Sequence, residues 1–275
     1  MTILEHVTPA ADLSFDPSSY RFKGLLVGHT GSGKSNGALT APGKKLLVEY
    51  DNRKESIMGH PEIDSTSIIQ IIEKDNRNPA AWEAAELLRR ELVSLSRKKE
   101  PFPYDCIIED GLTALGAYCM YWALTLDPKK GLGGSPAQHH YGPWINNMGQ
   151  HIQSMRNLPC SYILTGHFNA LEDEATGGLH YFPKVFGKQF KTEVPSYFNE
   201  VYFCTKSDAQ DTTTKKHKRT YLWYTGGTGR YDFFKSAINH RERFWSDPFI
   251  VDLDSSPYGI QKLIQLRQQG EGKEA

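Results

Sequence analysis

The residues best placed to do chemistry lie near the start of the chain. Gly28-His29-Thr30-Gly31-Ser32-Gly33-Lys34-Ser35 satisfies GxxxxGK[ST] at every specified position. In such a loop the glycines let the backbone curl so that successive N–H groups converge on phosphate oxygens. The lysine reaches the terminal phosphates and the serine hydroxyl is a ligand for Mg²⁺. The flanks agree, since apolar GLLV precedes the loop and the helix-forming KSNGALT follows from its lysine. The pattern predicts nucleoside-triphosphate binding by Gly28, His29, Thr30, Gly31, Ser32, Gly33, Lys34, Ser35 and Asn36, with Lys34 also in the catalytic set.

A bound triphosphate and its metal call for carboxylates at the ends of buried strands. DCIIEDGLTAL supplies Asp110, where an apolar strand leaves the sheet, as the partner of Ser35 around Mg²⁺. Strand alternation points Glu109 to the opposite side and leaves it in reserve as a catalytic carboxylate. Hydrolysis also needs a group that orients or activates water. Asp51, closing KLLVEYD, is the candidate, with Glu49 two residues earlier on the same strand face. His167 closes SYILTGH, where a polar side chain can sense the γ-phosphate. His139 and His140, in GLGGSPAQHHYGPW, have no partner at ligand spacing and read as loop residues without a metal site of their own.

These groups need strands and helices to hold them. Short apolar runs predict strands at Leu25–Val27, Lys45–Tyr50, Cys106–Glu109 and Ser161–Thr165. Helices are expected from Lys34, from Pro79 to about Lys98 with Asn78 as N-cap, and from Trp144 to Arg156. After Gly166 the texture changes: Val201–Thr205, Thr220–Tyr224 and Tyr231–Phe234 are short aromatic or β-branched runs between turn residues, a hairpin signature. The expected fold is α/β, a mostly parallel sheet flanked by helices with an antiparallel extension on the C-terminal side. It is read as one domain over residues 1–275, with 1–19 an irregular lead-in and 265–275 a flexible tail.

Composition narrows the function classes. The 275 residues are 39% hydrophobic and carry 32 basic against 32 acidic side chains, so the net charge is zero and does not favour nucleic acid as a whole-molecule field. No apolar run approaches the roughly 20 residues of a membrane span, and the first residues lack the basic and apolar regions of a signal peptide, so a cytoplasmic protein without membrane partners is expected. The cysteines form no CxxC pair, which points to buried thiols and against zinc or a disulfide framework.

Taken together, GHTGSGKS, LLVEYD, IIEDGLTAL, WINNMGQHIQSMRNLP, ILTGH, EDEATGG, PKVFGK, FNEVYF and TGGTGRYDFFKS resemble the phage-encoded RecA-like P-loop ATPases. These are core-only relatives of RecA associated with single-strand annealing and recombination, also grouped as phage nucleotide-binding AAA-type proteins. The resemblance spans most of Phe22 to Leu253. It implies a RecA-like core with the sensor strand between the P-loop strand and the strand of Asp110. It puts Asp51 at the position of the water-activating carboxylate, where Glu is more usual. It maps the DNA-contacting loop onto about Asn169–Gly187 and a trans-acting basic residue onto Lys235. Beside that loop, Lys184, Lys188 and Lys191 are candidate DNA contacts, with Tyr181, Phe182 and Phe186 able to stack on bases; the tip Lys215–Arg219 is a further candidate.

The implied protein is an ATP- and Mg²⁺-dependent hydrolase, stimulated by single-stranded DNA and acting as a ring or filament, with a single-strand-binding protein as a further partner. If phage-encoded, its cytoplasm is that of a bacterial host. The short Asp51 keeps open a low-turnover nucleotide switch or an assembly or packaging accessory. A small-molecule kinase is disfavoured because no arginine-rich lid follows the P-loop.

Overall fold

The computed structural model describes residues 16, 18–50, 57, 59–67, 80–127, 134–172, 177–210 and 217–271. In chain order its strands are β1 (Lys23–Gly28), β2 (Lys45–Glu49), β3 (Ile63–Ser67), β4 (Cys106–Asp110), β5 (Ser161–Gly166), β6 (Phe168–Glu172), β7 (Leu179–Pro183), β8 (Glu200–Gln210), β9 (His217–Tyr224), β10 (Lys235–Ser236) and β11 (Phe249–Val251). The helices are α1 (Lys34–Leu39), α2 (Ala80–Ser96), α3 (Leu112–Thr125), α4 (Gln138–Arg156), α5 (Lys188–Glu193) and α6 (Gly259–Glu271).

The main sheet runs β11-β9-β8-β1-β5-β4-β2-β3, with β10 on the edge of β8. Strands β8, β1, β5, β4, β2 and β3 are parallel, whereas β9, β10 and β11 add antiparallel pairings at one side. This is the expected mostly parallel sheet with an antiparallel extension, and β5 lies between the P-loop strand and β4. Apolar residues of alternating parity face two layers. Leu25, Val27, Ile107 and Leu164 pack under α2, α3 and α4, while Leu26, Ile108 and Ile163 pack against α1 and α6. Burial on both faces explains why the central strands read as continuous apolar runs.

Several elements differ from expectation. α4 starts at Gln138 and holds Pro143 in its second turn, so His139 and His140 are helical residues. Pro143 offers no N–H to the carbonyl of His139, four residues earlier, so this turn forgoes one intrahelical bond. Tyr231–Phe234 is no strand: Gly229–Tyr231 forms a 3₁₀ turn and pairing resumes only at β10. The aromatics there are spent on packing, with Tyr231 stacked on Tyr224 at 3.9 Å. β10 is held by buried Glu200, which accepts from Ser236 Oγ at 2.6 Å and from the amides of Ala237 and Ile238 at 3.0 and 3.2 Å. Near the end of the chain α6 runs through Glu271: it buries Ile260, Leu263 and Ile264, and the amide of Ile260 bonds to Thr40 Oγ1 at 2.8 Å. Asn78, Pro79 and residues 272–275 lie outside the described residues.

Candidate nucleotide site

The phosphate loop joins β1 to α1, and its glycines meet two separate demands. Gly31 and Gly33 have φ of +72° and +80°, the left-handed region that a side chain disfavours. Gly28 has no room for one, since a Cβ there would stand 2.0 Å from the carbonyl oxygen of Cys204. Lys34 is only 8% exposed, and its Nζ donates to the carbonyls of Gly28 at 3.1 Å and His29 at 2.6 Å. The loop thus folds around the ammonium group of its own lysine.

The sheet register aligns the polar partners. Glu49 of β2, Asp110 of β4 and Thr165 of β5 are mutually paired neighbours at the C-terminal ends of three parallel strands. Paired residues in a parallel sheet share a face, and this is the α1 face. Ser35 Oγ donates to Asp110 Oδ2 at 2.6 Å, and Thr165 Oγ1 donates to Asp110 Oδ1. Glu49, Asp110, Thr165 and His167 line one cleft of about 390 Å³ with Thr30 through Asn36 and the start of α3. Oxygen donors grouped around Ser35 and Asp110, beside the phosphate loop, fit a phosphate-bound Mg²⁺. A larger cavity of about 430 Å³, toward the far end of α1, contains Lys45, His60 and Glu62 and shares only Asn36 with the cleft.

Glu109, expected as a reserve catalytic carboxylate, does not line the cleft. Its parity turns it to the other face, where it is 1% exposed and fully engaged. Tyr50 and Tyr162 donate their hydroxyls to it, and His151 Nε2 lies 2.9 Å from its Oε1. His151 Nδ1 lies 2.8 Å from Glu86, which Arg89 grips with two further bonds. Burial disfavours the charge on each of these groups, but pairing wins. Glu109 is lowered by His151 and the two tyrosines, Glu86 is held at about 2 by His151 and Arg89, and His151 is raised to about 9 by Glu109 and Glu86. The network also braces the strand ends that carry the cleft. Tyr118 donates to the carbonyl of Tyr50 at 2.8 Å, and the amide of Tyr50 bonds to the carbonyl of Asp110 at 2.9 Å.

Other expected site residues fall in different places. Asp51 and Lys215–Lys216 lie outside the described residues. His29 and Asn36 are exposed, with Asn36 on the cleft. Lys235 is exposed on β10 and does not line the cleft of its own chain. The expected DNA loop contains the β6–β7 hairpin, which begins after His167 and returns to it: the amide of Lys184 bonds to the carbonyl of His167 at 2.8 Å. Lys184 and Lys188 are exposed and Lys191 is half-buried. Of the aromatics proposed to stack on bases, Tyr181 is stacked on Phe203 and Phe182 is buried, so both serve packing; Phe186 is exposed.

Two residues near the loop carry no motif. Tyr221 of β9 lines the cleft with its ring edge 3.2 Å from where a Cβ on Gly33 would stand. Lys206, its cross-strand partner on β8, places Nζ 3.5 Å from the same point on Gly31. The only sequence signal for either is the hairpin alternation that puts them opposite one another. Thr165 lies in the same apolar strand that leads to His167, and no motif marks it.

Among curated proteins no match to the chain is found. The family model described as AAA domain matches residues 21–229, from the entry to β1 through the end of β9 and the turn beyond. That segment is about three quarters of the chain and contains every cleft residue named above. On this match, and on the P-loop sheet that carries it, the chain belongs to the AAA domain family and is a P-loop NTPase.

Proposed function

We propose that this protein hydrolyses ATP in the cleft between the phosphate loop and the ends of β2, β4 and β5, in a manner that responds to single-stranded DNA. The observation that carries the first half is the row Glu49–Asp110–Thr165 facing Ser35. Ser35 and Asp110 would hold Mg²⁺, directly or through its water shell, and a metal held there would supply positive charge against the phosphates. Lys34 leaves its carbonyls for phosphate oxygens, which are stronger acceptors. Glu49, 2% exposed at the end of β2, is the described carboxylate placed to orient water, a task it shares with or takes from Asp51. Thr165 fixes the Asp110 carboxylate, and His167 reads the γ-phosphate. Tyr221, on the β8–β9 side and opposite the metal ligands, offers a flat face to the base.

The second half rests on the hairpin anchored at His167. A strand held by Lys184, Lys188 and Phe186 pulls on the segment whose first residue faces the γ-phosphate. Neutral net charge is compatible with this, because the lysines are local. Association of copies on DNA, with Lys235 reaching a neighbour, belongs to the same proposal.

Steady-state ATPase measurement with and without single-stranded DNA tests both halves. Mg²⁺-dependent turnover that rises with DNA supports the reading, and Lys184→Glu with Lys188→Glu should remove the rise while leaving basal turnover. Absence of DNA retention and of any rise would leave an ATPase without a DNA role. No turnover in either condition, with nucleotide still bound, would favour the switch.

A further inference from the structure

We propose a zinc site at the junction of α3 and α4, formed by Asp127, His139 and His140. Asp127 follows the last turn of α3, and the two histidines lie in the first turn of α4. One ligand atom from each residue lies within 4.8 Å of the other two. His139 Nε2 is 3.2 Å from Asp127 Oδ2, and His140 Nε2 is 3.9 Å from the same oxygen. Ligands of a tetrahedral zinc ion stand about 3.4 Å apart, given bonds of roughly 2.0–2.2 Å.

His140 is the residue that calls for a ligand. Its side chain is 1% exposed, and its buried Nε2 has no hydrogen-bond partner. The Asp127 oxygen it faces is too distant to accept a hydrogen bond, yet the gap suits an ion bonded to both. The other ring nitrogen supplies the outer support. Nδ1 lies 3.2 Å from the carbonyl oxygen of Ala137 and 2.9 Å from its amide nitrogen. Donation of Nδ1–H to that carbonyl leaves the lone pair on Nε2, the arrangement that metal-bound histidines adopt. Without the ion, the amide can donate to Nδ1 and the proton sits on Nε2, so binding selects one tautomer.

His139 completes the set from the surface. Its side chain is 62% exposed, and its ring centroid lies 4.0 Å from that of His140, so a small rotation seats Nε2 on the ion. Two imidazoles and one carboxylate suit zinc and disfavour Mg²⁺, which prefers oxygen ligands. Three protein ligands leave one position for water. The ion ties the end of α3, the helix that follows Asp110, to the start of α4, the helix that carries His151. It braces the layer beneath the nucleotide cleft and stays outside it.

The test uses the full chain after chelator treatment, titrated with Co²⁺ and then Zn²⁺ in excess Mg²⁺. The expected result is one site per chain with the intense ligand-field bands of four-coordinate Co²⁺, displaced by one equivalent of Zn²⁺. His139→Ala, a change at an exposed side chain, should weaken binding by at least about tenfold, as should Asp127→Asn. Zn²⁺ should raise the Tm of the parent protein and leave that of His139→Ala unmoved. Ser35→Ala should keep the bands. Absent bands, bands equally strong in His139→Ala, or bands lost in Ser35→Ala would each overturn the proposal, the last by assigning the ion to the phosphate cleft.

Discussion

The ring of His29, inside the phosphate loop, meets Phe168, the first residue of β6, edge-on with centroids 4.5 Å apart. The hairpin that Phe168 opens is closed at its other end by the Lys184–His167 bond, so it touches the nucleotide site twice. His29→Ala should therefore leave nucleotide affinity within about twofold, because backbone amides make the cradle. It should abolish most of any DNA stimulation. Parallel binding and turnover assays check this, and full stimulation in the variant would show that the ring contact transmits nothing.

The Ser35–Asp110 bond predicts a metal phenotype. Ser35→Ala should raise the Mg²⁺ concentration needed for half-maximal turnover by about tenfold, and Asp110→Asn should lower kcat by about a hundredfold. Lys34→Ala should remove nucleotide binding or turnover altogether. A Mg²⁺ titration of each variant reads these effects, and an unchanged requirement in Ser35→Ala would take that hydroxyl off the ion.

Glu49 and Asp51 can be separated by kinetics. Glu49→Gln should reduce kcat by at least about a hundredfold while ATP stays bound, since the lost group acts on water and not on substrate. Asp51→Asn should cost less. The reverse ranking in single-turnover experiments would return the water to Asp51.

Tyr221 is tested by comparing ligands with and without a base. Tyr221→Ala should weaken ATP by about tenfold, within the roughly 1–3 kcal/mol of one aromatic–base stack. It should leave inorganic tripolyphosphate unaffected, and Tyr221→Phe should restore ATP. Equal losses for both ligands would mean that the ring only supports the loop through Gly33.

The buried Glu86–His151–Glu109 network makes stability depend on pH. His151 has a folded value of about 9 against an ordinary 6.5, so its contribution is complete below 6.5 and is lost as pH rises toward 9. Glu86 is held at about 2 against an ordinary 4.5, so its contribution is complete above 4.5 and is lost as pH falls toward 2. Tm should fall on both sides of this window. His151→Leu should destabilise by about 3–5 kcal/mol at neutral pH, because it strands buried carboxylates. It should also flatten the alkaline limb of a Tm–pH series.

What could be read from sequence follows from how local each interaction is. The phosphate loop is eight consecutive residues whose types encode its shape, and Asp110 ends an apolar run that can only be a buried strand. Parity within that strand separated Asp110 from Glu109. Parity alone did not say what Glu109 meets: its partners Tyr50, His151 and Tyr162 come from a neighbouring strand end, α4 and β5. Tyr221 and Lys206 escape for the same reason, since only the hairpin register brings them over the loop. Tyr231–Phe234 departs from a strand for another reason. Aromatic residues favour strands because they fill half-buried surfaces, and here they fill one without pairing. His139 and His140 lacked a visible partner because Asp127 lies 12 residues upstream at the end of another helix.

The docking of α6 on α1 has a practical consequence for anyone expressing a shortened version. A protein cut after residue 229 would keep the whole phosphate loop and lose Ile260, Leu263 and Ile264 from beneath it. It would also lose β11, baring the outer edge of β9. Unpaired edges and uncovered apolar faces recruit other chains. Such a fragment should therefore precipitate or oligomerise even though every residue lining the nucleotide cleft is still present.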